Sequence, residues 1–181
     1  MSIQKPTPID EEVAWDKSKT IKSKTDSKGT IGYVNNVFLE VSGYTESELI
    51  GQPHNVIRHP DMPRVVFKVL WDNLKIGNNF NAVVKNLSKS GKYYWIVTNF
   101  DIFKDENGTP LSFMGVRTSV PDAVINVIKP LYARLVELEK TGGMEASEAF
   151  LKEYFQQQGF ADYTAFIKKL MSDNGVDVSF W

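Results

Sequence analysis

Residues 80–118 carry three apolar β runs, "FNAVVKNL", "KYYWIVTNFDIFK" and "PLSFMGVRT", separated by the turns "SKSG" and "DENG". Loops this short, each ending in glycine, close hairpins, so the three runs must be neighbours in an antiparallel sheet. Two shorter runs flank "DSKG" inside "TIKSKTDSKGTIGYVN", another turn signal. Between the second and third runs lie three helical stretches. "NNVFLEVSGY" spaces Val37, Phe38 and Val41 for one helical face and stops at Gly43. In "TESELIG", Thr45 and Glu48 stand as a capping box and Gly51 ends the turn. "PRVVFKVLWDNLKIG" keeps Val66, Val69, Leu70, Asn73 and Leu74 on one broad face, with Pro63 in the first turn and Gly77 as the stop. Helices that connect strands of one sheet must cross a face of it. The expected class is α+β: a five-stranded antiparallel sheet with short helices on one face, and a ligand-sized pocket between them.

The ends read differently. Residues 1–18 are polar and proline-diluted, an arm that is flexible or partner-dependent, with Val13 and Trp15 able to dock. Residues 19–120 form the sheet domain. Residues 121–181 are helical: "PDAVINVIKPLYARLVELEK" with a kink expected at Pro130, a "TGG" linker, and two amphipathic helices. Their stripes, Phe150, Tyr154 and Phe155, then Tyr163, Phe166, Ile167 and Leu170, have the spacing of core or partner-binding faces.

Composition removes several function classes. The 181-residue chain has no cysteine, which excludes disulfides, zinc–thiolate sites, iron–sulfur clusters, thiol nucleophiles and cysteine–flavin photochemistry. A net charge of -1 gives no broad footprint for nucleic acid. The start lacks the apolar core of a signal peptide. No run approaches the ~20 apolar residues of a membrane span. A cytoplasmic protein without direct membrane insertion is expected.

The densest chemistry lies in "GQPHNVIRHPDMP", residues 51–63, which holds both histidines with Arg58, Asp61 and three prolines. As a metal site it is poor, because structural zinc needs four ligands and catalytic zinc usually three. No metal site is expected. Haem needs only one axial histidine, which His54 or His59 could supply. No nucleophile accompanies the His59–Asp61 pair, so catalysis is not indicated. A clamp is the economical reading: Arg58 offers a rigid fork suited to phosphate, on a backbone stiffened by Pro53, Pro60 and Pro63. His54, at the loop's start, reads as structural.

The order "YVN...F...SGYT...ELIGQPHN..RHPDMP", continued by "LKIGNNFNAVVKNLSKSGKYYWI" and "GVRT", resembles a PAS domain, and more closely that of the Aer-type aerotaxis and energy-taxis receptors of bacteria. The resemblance covers about residues 18–120. It implies a PAS fold, making 19–120 a PAS sensor domain, with FAD bound non-covalently and a sensory role without turnover. Family members bind FAD through residues matching Asn35, Arg58, His59, Asp61 and Asn86, and Trp71 matches a family tryptophan. Where the family has a flavin-associated tryptophan this chain has Phe80, which keeps an aromatic face and loses the indole donor. The family continues into a membrane anchor and coiled coil, whereas this sequence ends in a short helical tail.

Read against a flavin, Trp71, Phe80, Tyr94 and Trp95 are candidate walls, and Asn35, Asn86 and Asn99 candidate partners for the polar ring edge. Strand alternation separates Tyr94 from Tyr93 and Trp95. The combined expectation is a cytoplasmic FAD-binding redox sensor, a homodimer, signalling in energy taxis by contact with a separate membrane chemotaxis transducer. Two alternatives stay open: a gas sensor binding haem b, and a ligand-free PAS adaptor. An enzyme ranks last, since no GxGxxG follows a strand.

Overall fold

The computed structural model describes residues 3–181; Met1 and Ser2 of the expected arm lie outside the described residues. Strands β1 (Ile21–Asp26) and β2 (Ile31–Val34) form the first hairpin. Helices α1 (Asn36–Ser42) and α2 (Glu46–Leu49), a 3-10 turn (His54–Ile57) and α3 (Arg64–Lys75) follow. Strands β3 (Val83–Leu87), β4 (Tyr93–Lys104) and β5 (Pro110–Ser119) complete one sheet in the order β2-β1-β5-β4-β3. Every neighbouring pair is antiparallel, the α+β arrangement that the hairpin pattern requires.

The caps follow from local chemistry. The Asn35 side chain accepts the Phe38 amide at the start of α1, and Gly43 closes that helix with φ 74°, a conformation only glycine adopts freely. Thr45 and Glu48 make both halves of the capping box. Pro63 precedes α3 and offers no capping side chain.

The expected strand "FNAVVKNL" pairs regularly only from Val83. Before it, the Asn81 side chain donates to the Thr98 carbonyl (3.1 Å), and the Phe100 amide donates to Asn79 (2.9 Å). These side chains take hydrogen bonds a regular ladder would use. Phe80 is freed to stack on Tyr163 with ring centroids 5.1 Å apart.

The C-terminal segment forms α4 (Asp122–Gln158) and α5 (Tyr163–Asp173). The backbone of α4 keeps helical angles through Pro130; the sole non-helical residue within it is Gly143, at φ 70° and ψ -172°, inside the expected "TGG" linker. Proline removes the hydrogen bond to the carbonyl of Asn126, and both residues are exposed, so water can serve that carbonyl. Val124, Ile128, Leu131, Tyr132 and Leu135 make the buried face of α4. Tyr132 packs against Trp95 on the sheet (6.3 Å). Among the described residues no helix is long and apolar enough to cross a membrane.

The N-terminal arm is laid along the start of β4. Val13 donates to the Tyr93 carbonyl (2.8 Å), and the Tyr93 amide donates to Glu11 (2.9 Å). Val13 and Trp15 pack against the core.

Two tail tyrosines seal the edge strand. The Tyr132 hydroxyl donates to the Val83 carbonyl (2.6 Å), the Val83 amide donates to the Tyr163 hydroxyl (3.1 Å), and the two hydroxyls bond each other. Full satisfaction makes Tyr163 the donor to Tyr132, closing a ring of three bonds. Burial pushes the Tyr163 phenol up to about 12 and Tyr132 well above its ordinary range. Tyr163→Phe leaves the buried Val83 amide unpaired and should destabilise the protein by about 1–3 kcal/mol. In urea unfolding, the Tyr132→Phe/Tyr163→Phe double variant should lose less than the sum of the single losses.

Candidate ligand cavity

Between the inner sheet face and α3 lies a cavity of about 460 Å³, a size suited to a small organic ligand. Alternation along the strands decides what faces it. β3 contributes Val84 and Asn86, β4 contributes Ile96, Thr98 and Phe100, and β5 contributes Phe113, Gly115 and Arg117. Helix α3 adds Phe67, Leu70, Trp71 and Leu74 from the opposite side. Trp71 meets Phe113 edge to face at 5.8 Å. A Cβ on Gly29 would come within 3.1 Å of the Trp71 ring, so the β1–β2 turn fixes the indole from outside.

The cavity has a charged interior. Arg117 is 4% exposed. Its Nη1 donates to the Ser23 hydroxyl (2.9 Å) and the Gly115 carbonyl (3.2 Å), and its Nη2 lies 3.0 Å from His54 Nε2. A side chain at position 115 would collide with the guanidinium, which is why glycine stands there. Among the described residues no carboxylate forms a salt bridge with Arg117. Desolvation brings its pKa down to about 10, still charged at neutral pH. Burial, reinforced by Arg117, lowers His54 to about 3, so the ring is neutral and its Nε2 accepts from Arg117 and from Ser23 (3.1 Å). That lone pair is therefore committed to protein donors and not directed at an axial position of a haem.

Cations also ring the mouth: Lys28, Arg58, Arg64 and Lys68 line the same cavity. The Arg58 guanidinium lies over the Phe67 ring at 4.4 Å and donates to the Met62 carbonyl (3.3 Å).

Of the residues expected at a flavin site, Arg58, Trp71 and Asn86 converge on this cavity. The other four lie elsewhere. Asn35 caps α1 and ties it to β1 by accepting from the Lys22 amide (3.0 Å) and donating to the Thr20 carbonyl (2.9 Å). His59 faces the far side of the loop, in a groove with Lys5 and Met62, and its Nδ1 accepts the Asp61 amide (3.0 Å). Asp61 pairs with Lys85 (2.7 Å) on the outer face of β3. Burial would raise that carboxyl, but Lys85 holds it below its ordinary value. Phe80 packs on the tail. Of the remaining candidates, Asn99 bonds Asn79 and Asn81, and Trp95 meets the tail. Sequence reasoning missed Arg117, His54 and Ser23 as cavity residues. A signal existed for Arg117: alternation sets it inward with Phe113, a charge on the apolar face.

Comparison with known proteins agrees with this architecture. The family described as the PAS fold matches residues 31–117. The aerotaxis receptor of Escherichia coli is 42% identical over 64% of this chain and 23% of its own length. A light-oxygen-voltage domain studied with a flavin analogue superposes with TM-score 0.55 at 20% identity, covering 61% of this chain and 84% of that one. A PAS domain from Colwellia psychrerythraea gives TM-score 0.52 at 20% identity, over 57% and 87%. At that identity the two structures speak for the fold alone. The chain spans between 15% and 28% of the length of the first curated relatives it matches.

The two neutral histidines, one at the cavity and one outside it, make stability fall in acid. His54, lowered to about 3, and His59, lowered to about 4 by burial and Lys85, stay unprotonated in the fold. The unfolded chain protonates both near pH 6.5. Stability should therefore fall as pH drops below 6.5, by up to about 1.4 kcal/mol per pH unit for each ring. Urea midpoints between pH 6.5 and 5 should show this slope, and His54→Gln should lower it by one proton's share.

Proposed function

Because the chain carries a PAS-fold domain of the aerotaxis-receptor type, we propose that it is a sensor that binds FAD non-covalently and signals its redox state without turnover. The observation that carries this reading is Arg117, a buried guanidinium with no carboxylate partner among the described residues, at the bottom of an apolar, aromatic-walled cavity. A buried cation is costly unless something neutralises or solvates it. Ser23, Gly115 and His54 supply hydrogen-bond acceptors but no charge. A planar ring with electron-rich edge atoms would complete the set.

The residues present fit such a group. Trp71, Leu70 and Phe113 offer flat apolar walls. Asn86 and Thr98 offer amide and hydroxyl groups for a polar edge. Arg58, Arg64, Lys68 and Lys28 at the mouth suit a pyrophosphate. A bound flavin supplies reversible electron uptake, which alters the charge and hydrogen-bonding of its polar edge. The protein's part is to respond. Arg117 is attracted more strongly to a more negative partner, and the Ser23–His54 pair can re-form its bonds around it. A ligand shifts a conformational equilibrium only by the difference in its interaction with the two states. One charge-assisted hydrogen bond, about 1.5–3 kcal/mol, changes a population ratio by roughly tenfold to a hundredfold.

The likeness to the aerotaxis receptor extends the proposal to energy taxis, with the protein acting in the cytoplasm, as a homodimer, on a membrane chemotaxis transducer. Purified protein should show flavin absorbance, and denaturation should release FAD identifiable by mass. Arg117→Met and Asn86→Ala should each weaken flavin binding at least tenfold while far-ultraviolet circular dichroism stays native. A Soret band, or a colourless preparation that takes up no added flavin, overturns the proposal.

A further inference from the structure

Two cations at the cavity mouth are held by carboxylates of α4. Arg64 Nε lies 3.5 Å from Glu139, and Lys68 Nζ lies 3.2 Å from Glu148 and 2.9 Å from Asp72. The Glu139 carboxylate, 7% exposed, also accepts the Arg64 and Val65 amides, both at 2.9 Å. It thereby caps the start of α3, where Pro63 offers nothing. Between the two glutamates, α4 breaks at Gly143, and Met144 reaches the lining of the cavity. The tail thus touches the mouth three times: by two carboxylates on mouth cations and by one apolar side chain.

We propose that the mouth is a phosphate subsite whose cations are shared with the tail, so that a phosphate-bearing ligand and the 139–148 segment compete for Arg64 and Lys68. The proposal rests on the flavin reading and adds to it a ligand class at the mouth and a route out of the site. Both cations can turn between partners, since their side chains are 57% and 35% exposed. The pyrophosphate of FAD carries two negative charges against the one of a carboxylate, and it draws them inward. Lys68 then leaves Glu148, Arg64 swings from Glu139, and the hold of the tail on α3 loosens. Linkage makes the effect reciprocal: the ligand loosens the tail by the same factor by which the docked tail weakens the ligand, so weakening the tail's grip must tighten the ligand.

The test uses the full chain, with FAD and phosphate-free riboflavin as probes and flavin fluorescence as readout. Glu148, outside the cavity lining, is changed to Gln. FAD should bind Glu148→Gln ~2- to 5-fold more tightly than wild type, the scale of one exposed ion pair, and riboflavin should bind both alike. Lys68→Gln should weaken FAD and spare riboflavin. Hydrogen exchange in residues 139–148 should rise with FAD and not with riboflavin. FAD affinity unchanged in Glu148→Gln, with no exchange response, overturns the competition and leaves the flavin reading standing. A gain shared equally by riboflavin also overturns it, because the tail would then act by bulk and not charge. Failure of both flavins to bind any variant overturns it together with the flavin reading.

Discussion

Strand β3 stands at the end of the sheet, yet all five of its residues are buried. An unpaired edge is a row of unsatisfied backbone groups and a hazard for aggregation. Here two different parts of the chain cover it. The Tyr132–Tyr163 pair satisfies Val83 on the edge side. The loop before α3 supplies Met62 sulfur to the Lys85 amide (3.2 Å), the Asp61–Lys85 pair, and a backbone bridge from Arg58 to Asn86. The cavity lies behind Val84 and Asn86. Any change in the cavity that moves β3 must therefore be felt by the loop, the tail, or both. The C-terminal helices are bonded directly to the strand that forms one wall of the cavity.

Electrostatics divides the cavity into two ends. Arg117 sits deep, desolvated and without a counter-charge among the described residues, where the low dielectric makes any interaction strong. The mouth cations are accessible and already engaged, so exchange of partners there costs little. Strong fixed attraction at the bottom and weak exchangeable attraction at the mouth suit a ligand that stays bound while its state is reported. Neutral His54 serves this arrangement by accepting from Arg117 without adding a second buried charge.

The family match covers residues 31–117, and two segments outside it pack on the sheet domain. The arm from Ile9 to Val13 adds backbone bonds to Gly91 and Tyr93. The tail supplies the helix cap of α3, the seal of β3 and one residue of the cavity lining. Phe80 belongs with this group. Its stacking on Tyr163 shows why an aromatic stands at that position although the ring faces the tail and not the cavity. Spacing and resemblance identify the residue type; only the packed tail reveals its partner.

Local chemistry determined what the sequence could show by itself. Glycine-terminated hairpins dictated the antiparallel order of β3, β4 and β5, and Thr45 with Glu48 dictated a helix start, because each acts over a few residues. Arg58, Trp71 and Asn86 could be assembled into one group by resemblance alone. The rest required contacts between residues far apart in the chain: Tyr132 with Val83, Arg64 with Glu139, Arg117 with Ser23, separated by 49, 75 and 94 positions. Period-two alternation states which residues share a face, but β3 is buried on both faces, so alternation is silent about which one meets the ligand. That choice, and with it the burial of Arg117 beside a neutral histidine, belongs to the tertiary structure, in which Tyr132 of the tail covers Trp95 on one face of the sheet and α3 encloses the cavity on the other.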